Sequence, residues 1–350
     1  MKRTILFLFT LFVLLPVSAE GTPFGRGLFR YAQFGHSLCA DVHPNFVRID
    51  IPYATNQQIY HWGWENNPAP YRWHLNGLFG FQLPIWAGNV VDSTYAISVT
   101  MTGSANLWMD LFDFHTSPIV DTDYRVGMPH ITFLHRTKLG FLKNYSVTWA
   151  PFKHESTHIG DELQIRQTEV RDYALKRVNV SYNYTEFVFT VNEAENRYEE
   201  NHCLRVGLMV LLGGGWYNID EEDWGGDTKL ETPKSSPWEL YLQYQYQSPT
   251  SKHGFQGIAS AEIRNRALYG YDLYAKRQMD GDKPVAPVLP NDSRIFTYNI
   301  FVGARYNTPG YDGYFSRFTL GVRAYHGNCP FGQFRSIANY SQIGVSIIFE

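Results

Sequence analysis

Beyond its first 19 positions the sequence has no run of about 18 consecutive apolar residues, so no membrane-spanning helix is expected. Cysteine is scarce. Cys39, Cys203 and Cys329 form an odd set without the spacing of a disulfide framework or a zinc site, although one periplasmic disulfide remains open to them. Charge of one sign is not in excess: the formal net charge is −3, which argues against nucleic acid as a partner. A nucleotide phosphate loop is missing too, because Gly213-Gly214-Gly215 is not followed by Lys and Ser or Thr. What the chain has is aromatics, with 24 Tyr, 24 Phe and 9 Trp on a mildly polar background. A helical membrane protein would be far more apolar. A β-barrel needs lipid-facing residues only at alternate positions, plus aromatic girdles at both interfaces.

The N-terminus predicts a secretory signal peptide over residues 1–19. Lys2 and Arg3 precede an apolar stretch at 5–15, and Val17-Ser18-Ala19 is a small-residue cleavage site. The mature chain is expected to begin at Glu20, and no Cys follows the site to carry a lipid anchor. Residues 20–45 lack a steady period and are assigned to the periplasm or the lumen of a barrel.

Twelve strand-like segments follow, at 46–61, 73–87, 94–106, 127–140, 144–158, 176–192, 202–213, 237–248, 255–275, 295–306, 314–326 and 337–349. In the last one Ile343, Val345, Ile347 and Phe349 share one face, opposite Gln342, Gly344 and Ser346. The gaps alternate in length. Long ones are expected at 62–72, 107–126, 159–175, 214–236, 276–294 and 327–336, short ones at 88–93, 141–143, 193–201, 249–254 and 307–313. That one-sided growth predicts an all-β fold over 46–350: one antiparallel transmembrane β-barrel with long extracellular loops and short periplasmic turns, in the outer membrane of a Gram-negative-type bacterium. Phe349, one residue from the end, resembles the terminal aromatic read by the barrel-assembly machinery. That resemblance puts the C-terminus in the periplasm and makes the machinery a partner during insertion.

The densest polar cluster is His154-Glu155-Ser156-Thr157-His158-Ile159-Gly160-Asp161-Glu162. Alternation puts His154, Ser156 and His158 on one face near the extracellular mouth. An imidazole two residues from a hydroxyl on one strand can take its proton, the first requirement of a serine nucleophile. Ser156 is then the nucleophile and His154 the base. Asp161, Glu162, Glu169 or Asn179 would orient the base. Tyr145, Val147 and Trp149 set the lipid-facing parity, so His154 and Ser156 are expected to face the lumen unless a bulge near Pro151 turns them.

Two other readings compete. The cluster also suits a lumenal polar network. A metal at His154, His158 and Asp161 would require the chain to turn, because an extended strand separates the two imidazoles by about 13 Å. No other cofactor is expected, but calcium is conceivable at the acidic group Asp220, Glu221, Glu222, Asp223 and Asp227, or at Asp110, Asp113, Asp121 and Asp123. For both groups a solvated loop is the favoured reading. Asn-x-Ser/Thr triplets at Asn144, Asn179, Asn183, Asn291 and Asn339 are read as chance.

The His-x-Ser pattern at the mouth of a twelve-stranded barrel resembles outer-membrane phospholipase A and, more loosely, the lipid A deacylases. The resemblance implies cleavage of acyl esters in outer-membrane lipid by Ser156 and His154. The phospholipase pattern continues Ser-Asn-Gly, whereas this chain reads Ser156-Thr157-His158. Across the whole chain, three stretches resemble an uncharacterised family of bacterial outer-membrane barrels: Ala40-Asp41-Val42-His43-Pro44, the His154–Glu162 cluster, and Asn328-Cys329-Pro330-Phe331-Gly332-Gln333-Phe334. That resemblance implies a fold and a location and no activity. The expected function is a lipid-acyl-ester hydrolase at the extracellular rim. The alternative is a non-catalytic narrow channel, or a solute-binding or partner-binding barrel.

Overall fold

The computed structural model describes residues 37–56, 60–62, 68–70, 73–90, 94–110, 119–160, 180–194, 198–213, 236–267, 278–280, 283–285, 294–308, 316–332 and 339–350. The expected signal peptide, Asp113, Asp161, Glu162, Glu169, Asn179 and the acidic group from Asp220 to Asp227 lie outside them.

Twelve strands close into an antiparallel barrel. In chain order they are β1 (Val47–Asn56), β4 (Leu75–Val90), β5 (Tyr95–Met109), β6 (Ile119–Leu139), β7 (Leu142–Ile159), β8 (Val180–Val191), β9 (Asn201–Leu211), β10 (Trp238–Gln247), β11 (Phe255–Ala267), β14 (Arg294–Asn307), β15 (Arg317–Gly327) and β16 (Tyr340–Phe349). Each pairs with the next, and β16 closes on β1. Short hairpins, β2 (Tyr60–Trp62) with β3 (Pro68–Pro70) and β12 (Gln278–Asp280) with β13 (Lys283–Val285), stand in two of the long connections.

Every expected strand lies on a barrel strand, and the twofold pattern explains why. Phe296, Tyr298, Ile300 and Val302 of β14 are exposed, while Thr297, Asn299 and Arg305 are buried. In β10, Trp238, Leu240, Leu242 and Tyr244 point out and Glu239, Gln243 and Gln245 point in. Aromatic pairs mark both rims: Tyr95, His135 and Tyr145 at the short-turn end, and Tyr53 with Trp73 at the long-loop end. Boundaries shift at several ends, most of all at the start of β6. β6 begins at Ile119, so Asp121 and Asp123, expected in a loop, are fully buried on the inner wall.

The interior is charged. Arg125–Glu155, Lys153–Glu186, Arg264–Glu262 and Arg305–Glu350 form ion pairs at 2.9, 2.8, 3.0 and 2.8 Å. A charged side chain costs up to about 2–4 kcal/mol on the lipid face of such a barrel, so the wall turns these groups inward. Residues 37–46 thread this interior. The Cys39 and Ala40 amides donate to Gln245 and Ser260 at 2.9 and 3.1 Å. Their carbonyls accept from Arg323 and Asn299, each at 2.6 Å. Four strands thus grip the backbone of two adjacent residues.

From the other end the chain after β15 folds back into the mouth. Phe331 stacks on Trp108 with ring centroids 4.6 Å apart, and the Gly332 amide donates to Asp123 at 3.0 Å. Val42, Trp108, Cys329 and Phe331 share one buried cluster, so the two inserted segments meet inside the barrel. All three cysteines are buried and free, and the disulfide that the sequence left open is not formed.

Candidate functional site

The face that β7 presents to lipid changes midway. Tyr145, Val147 and Trp149 are exposed, and Asn144, Ser146 and Ala150 are buried. Further up, Phe152 and His158 are exposed, while Glu155 and Thr157 are buried. Odd positions face out in the lower half and even positions in the upper half. The cause is a bulge. Between Ala150 and Lys153 β7 advances three residues while β8 advances two, from Glu186 to Tyr184. Pro151 sits in the extra step, where its missing N–H breaks no ladder bond. β6 carries a matching insertion beside Pro129, advancing three residues from Gly127 to His130 against two on β5. The β6–β7 pairing therefore stays in step, four residues against four from Gly127↔Lys153 to Ile131↔Trp149.

The consequence corrects the expectation that His154 and Ser156 face the lumen. Both lie on the lipid side. In register they stand opposite Asn183 and Ser181 of β8. His154 Nδ1 lies 2.9 Å from Asn183 Oδ1. An amide oxygen can only accept, so Nδ1 carries the proton and the Nε2 lone pair is left available as a base. Ser156 is two residues further along the same face, about 7 Å of strand rise. Among the described residues no hydrogen bond joins Ser156 to His154; such contacts often tighten only with substrate bound.

His154, Ser156, Ser181 and Asn183 form a polar island in an apolar surround of Tyr124, Val126, Met128, Phe152 and Leu212, all exposed. A polar group on an otherwise apolar outer face is a functional-site candidate. The height is telling as well. His154 is 12 positions beyond Leu142, where β7 leaves its turn. That is about 40 Å along the strand and roughly 30 Å vertically at the usual tilt, against an apolar band of about 25 Å. The island sits at the outer interface.

The bulge divides the sequence cluster between two environments. Glu155 and Thr157 face inward, and Glu155 accepts from Arg125 at 2.9 Å, so the lumenal network exists but is built from the intervening residues. The side chain hydrogen-bonded to His154 is Asn183, four positions from the Asn179 named by sequence. Its only sequence signal was a triplet read as chance. Of the expected metal ligands, His158 is exposed with its ring edge toward Tyr124 at 6.0 Å, and Asp220, Glu222 and Asp223 lie outside the described residues. Among the described residues no group of three or more His, Cys, Asp or Glu could hold a metal.

The fold and this island define a transmembrane β-barrel with a Ser/His/Asn constellation on its lipid face. Solved structures similar to the chain include outer membrane phospholipase A from Escherichia coli, at 13% identity over 87% of this chain and 90% of that one, with a TM-score of 0.46. The Salmonella typhi outer membrane phospholipase dimer with bound calcium shows 12% identity over 95% and 94%, with a TM-score of 0.47. LpxR from Salmonella typhimurium shows 11% over 87% and 99%, with a TM-score of 0.37. No family model matches the chain, and no curated protein matches it.

Proposed function

We propose that this barrel hydrolyses acyl esters of lipids in the outer leaflet, with Ser156 as nucleophile, His154 as general base and Asn183 as its orienter. One observation carries the reading: the bulge at Pro151 turns His154 and Ser156 out to the lipid, where His154 Nδ1 meets Asn183 Oδ1 at 2.9 Å. Ser156 Oγ attacks the acyl carbonyl while His154 Nε2 takes the hydroxyl proton. That proton passes to the departing alkoxide as the ester bond breaks. Water, deprotonated by the same nitrogen, then cleaves the acyl-enzyme and releases a fatty acid. Asn183 keeps the imidazole in the tautomer that each step needs.

The alternative, a passive channel, is disfavoured by the bore. About twelve strands enclose a narrow lumen that side chains can largely fill, and here two inserted segments fill it further. The test is fatty-acid release from phospholipid vesicles holding the purified protein, read by mass spectrometry. Ser156→Ala is expected to abolish release while leaving the heat-modifiable gel mobility of a folded barrel. Equal release from the two proteins would remove the proposal.

A further inference from the structure

Behind the island, on the lumenal side of the same bulge, lies a polar anchor that the reaction itself does not use. Lys153, the residue before His154, points inward and donates to Glu186 of β8 at 2.8 Å. Its ammonium also lies 5.5 Å from the centre of the Tyr184 ring. Glu186 accepts a second bond at 3.0 Å from the hydroxyl of Tyr241, two strands away on β10. Space is cleared for both partners. A Cβ at Gly127, directly opposite Lys153, would stand 3.0 Å from the Lys153 stem and 2.6 Å from His130 Nε2. A Cβ at Gly207 would overlap the Tyr241 phenol, which crosses β9 at that position. His130 is in turn held by Thr102 at 3.0 Å.

We infer that the Lys153–Glu186 pair is a positioning device that sets which face of upper β7 meets the lipid; the inference rests on the hydrolase reading only for its activity arm. The side-chain period of a strand is two, so a bulge has one alternative: absorb the extra residue elsewhere and reverse every position above it. The reversed arrangement would bury His154 and Ser156 in the lumen and send Lys153 and Glu155 into lipid. Lys153 is the first inward residue after the bulge, so its bond to Glu186 is where the choice is made. Glu155 with Arg125 repeats the choice two residues on.

The experiment places a spin label at His158→Cys, on the same face as Ser156 and outside the reacting groups. Its collision with lipid-borne oxygen is compared with that of a water-soluble nickel chelate. Lys153→Met, which puts an apolar side chain where lipid would accept it, is expected to move the label from oxygen-accessible to shielded, and in the unlabelled protein to lower ester hydrolysis at least about tenfold. The exchange Lys153→Glu with Glu186→Lys is expected to restore both to within about threefold, as a paired interaction requires. If Lys153→Met does not fold, Glu186→Gln, of the same shape, carries the same comparison. A label that stays oxygen-accessible in these single variants overturns the inference, whatever hydrolysis does. A label that moves in a protein showing no hydrolysis at all sustains the anchor and removes the hydrolase reading instead.

Discussion

Asn183 Oδ1 accepts from His154 Nδ1 at 2.9 Å across the β7–β8 ladder, with the two residues directly paired in register. Residues on one strand and its neighbour thus form a unit facing the membrane. Members of such a unit fail together. Ser156→Ala and His154→Ala are each expected to lower ester hydrolysis by about 10³-fold or more, and the double variant no further. Asn183→Ala should cost less, on the order of 10–10²-fold, because the imidazole survives and only its orientation is loosened. Initial rates on a chromogenic acyl ester in detergent would show this hierarchy. Additive losses in the double variant would separate Ser156 from His154.

The reversal of parity at Pro151 makes a second prediction that does not depend on chemistry. In a cysteine scan of β7, labels at 145, 147 and 149 should meet lipid-borne oxygen, and labels at 146, 148 and 150 should not. Above the bulge the pattern inverts, with 152, 154, 156 and 158 accessible and 153, 155 and 157 shielded. Unbroken odd-position accessibility up to 157 would remove the bulge, and the lipid-facing site with it.

The bore should be electrically silent until its contents are removed. Intact protein in planar bilayers is expected to pass no steady current. Deleting residues 38–44 takes out the peptide units held by Gln245, Ser260, Asn299 and Arg323 and should produce an ohmic conductance. An intact protein that conducts would favour the channel reading.

Phe331 is the stopper of the other end, nearly fully buried and stacked on Trp108. Phe331→Ala should destabilise the barrel by about 3 kcal/mol, the usual loss for a large buried aromatic. The urea midpoint of unfolding, followed by tryptophan fluorescence, measures it. A shift within error would mean that the inserted loop contributes no stability.

Much of the fold was legible because alternation and loop length are local signals. Trp238, Leu240 and Leu242 against Glu239 and Gln243 give the strand, its inner face and its outer face without any partner. The ends of β6 were not legible. Asp121 and Asp123 look like loop residues until the Gly332 amide and Arg125 are seen to face Asp123 in the lumen. His154 and Ser156 were legible as a pair, but their direction was not. Parity carries forward along a strand only while the ladder is regular, and Pro151 marked the break without showing whether the chain absorbed it. Asn183 was out of reach for a different reason. It comes beside His154 through the register of β7 on β8, two strands joined by a long connection between Ile159 and Val180 whose length does not fix that register.

A cylinder whose bore is occupied by its own chain carries its candidate site on the outer wall instead. A lipid bound at the island beside Pro151 would arrive by sliding within the leaflet, in two dimensions. Partition into the membrane, and not solubility in the medium, would then rank the molecules this protein meets, and an inhibitor designed for it would have to be greasy enough to approach from the side.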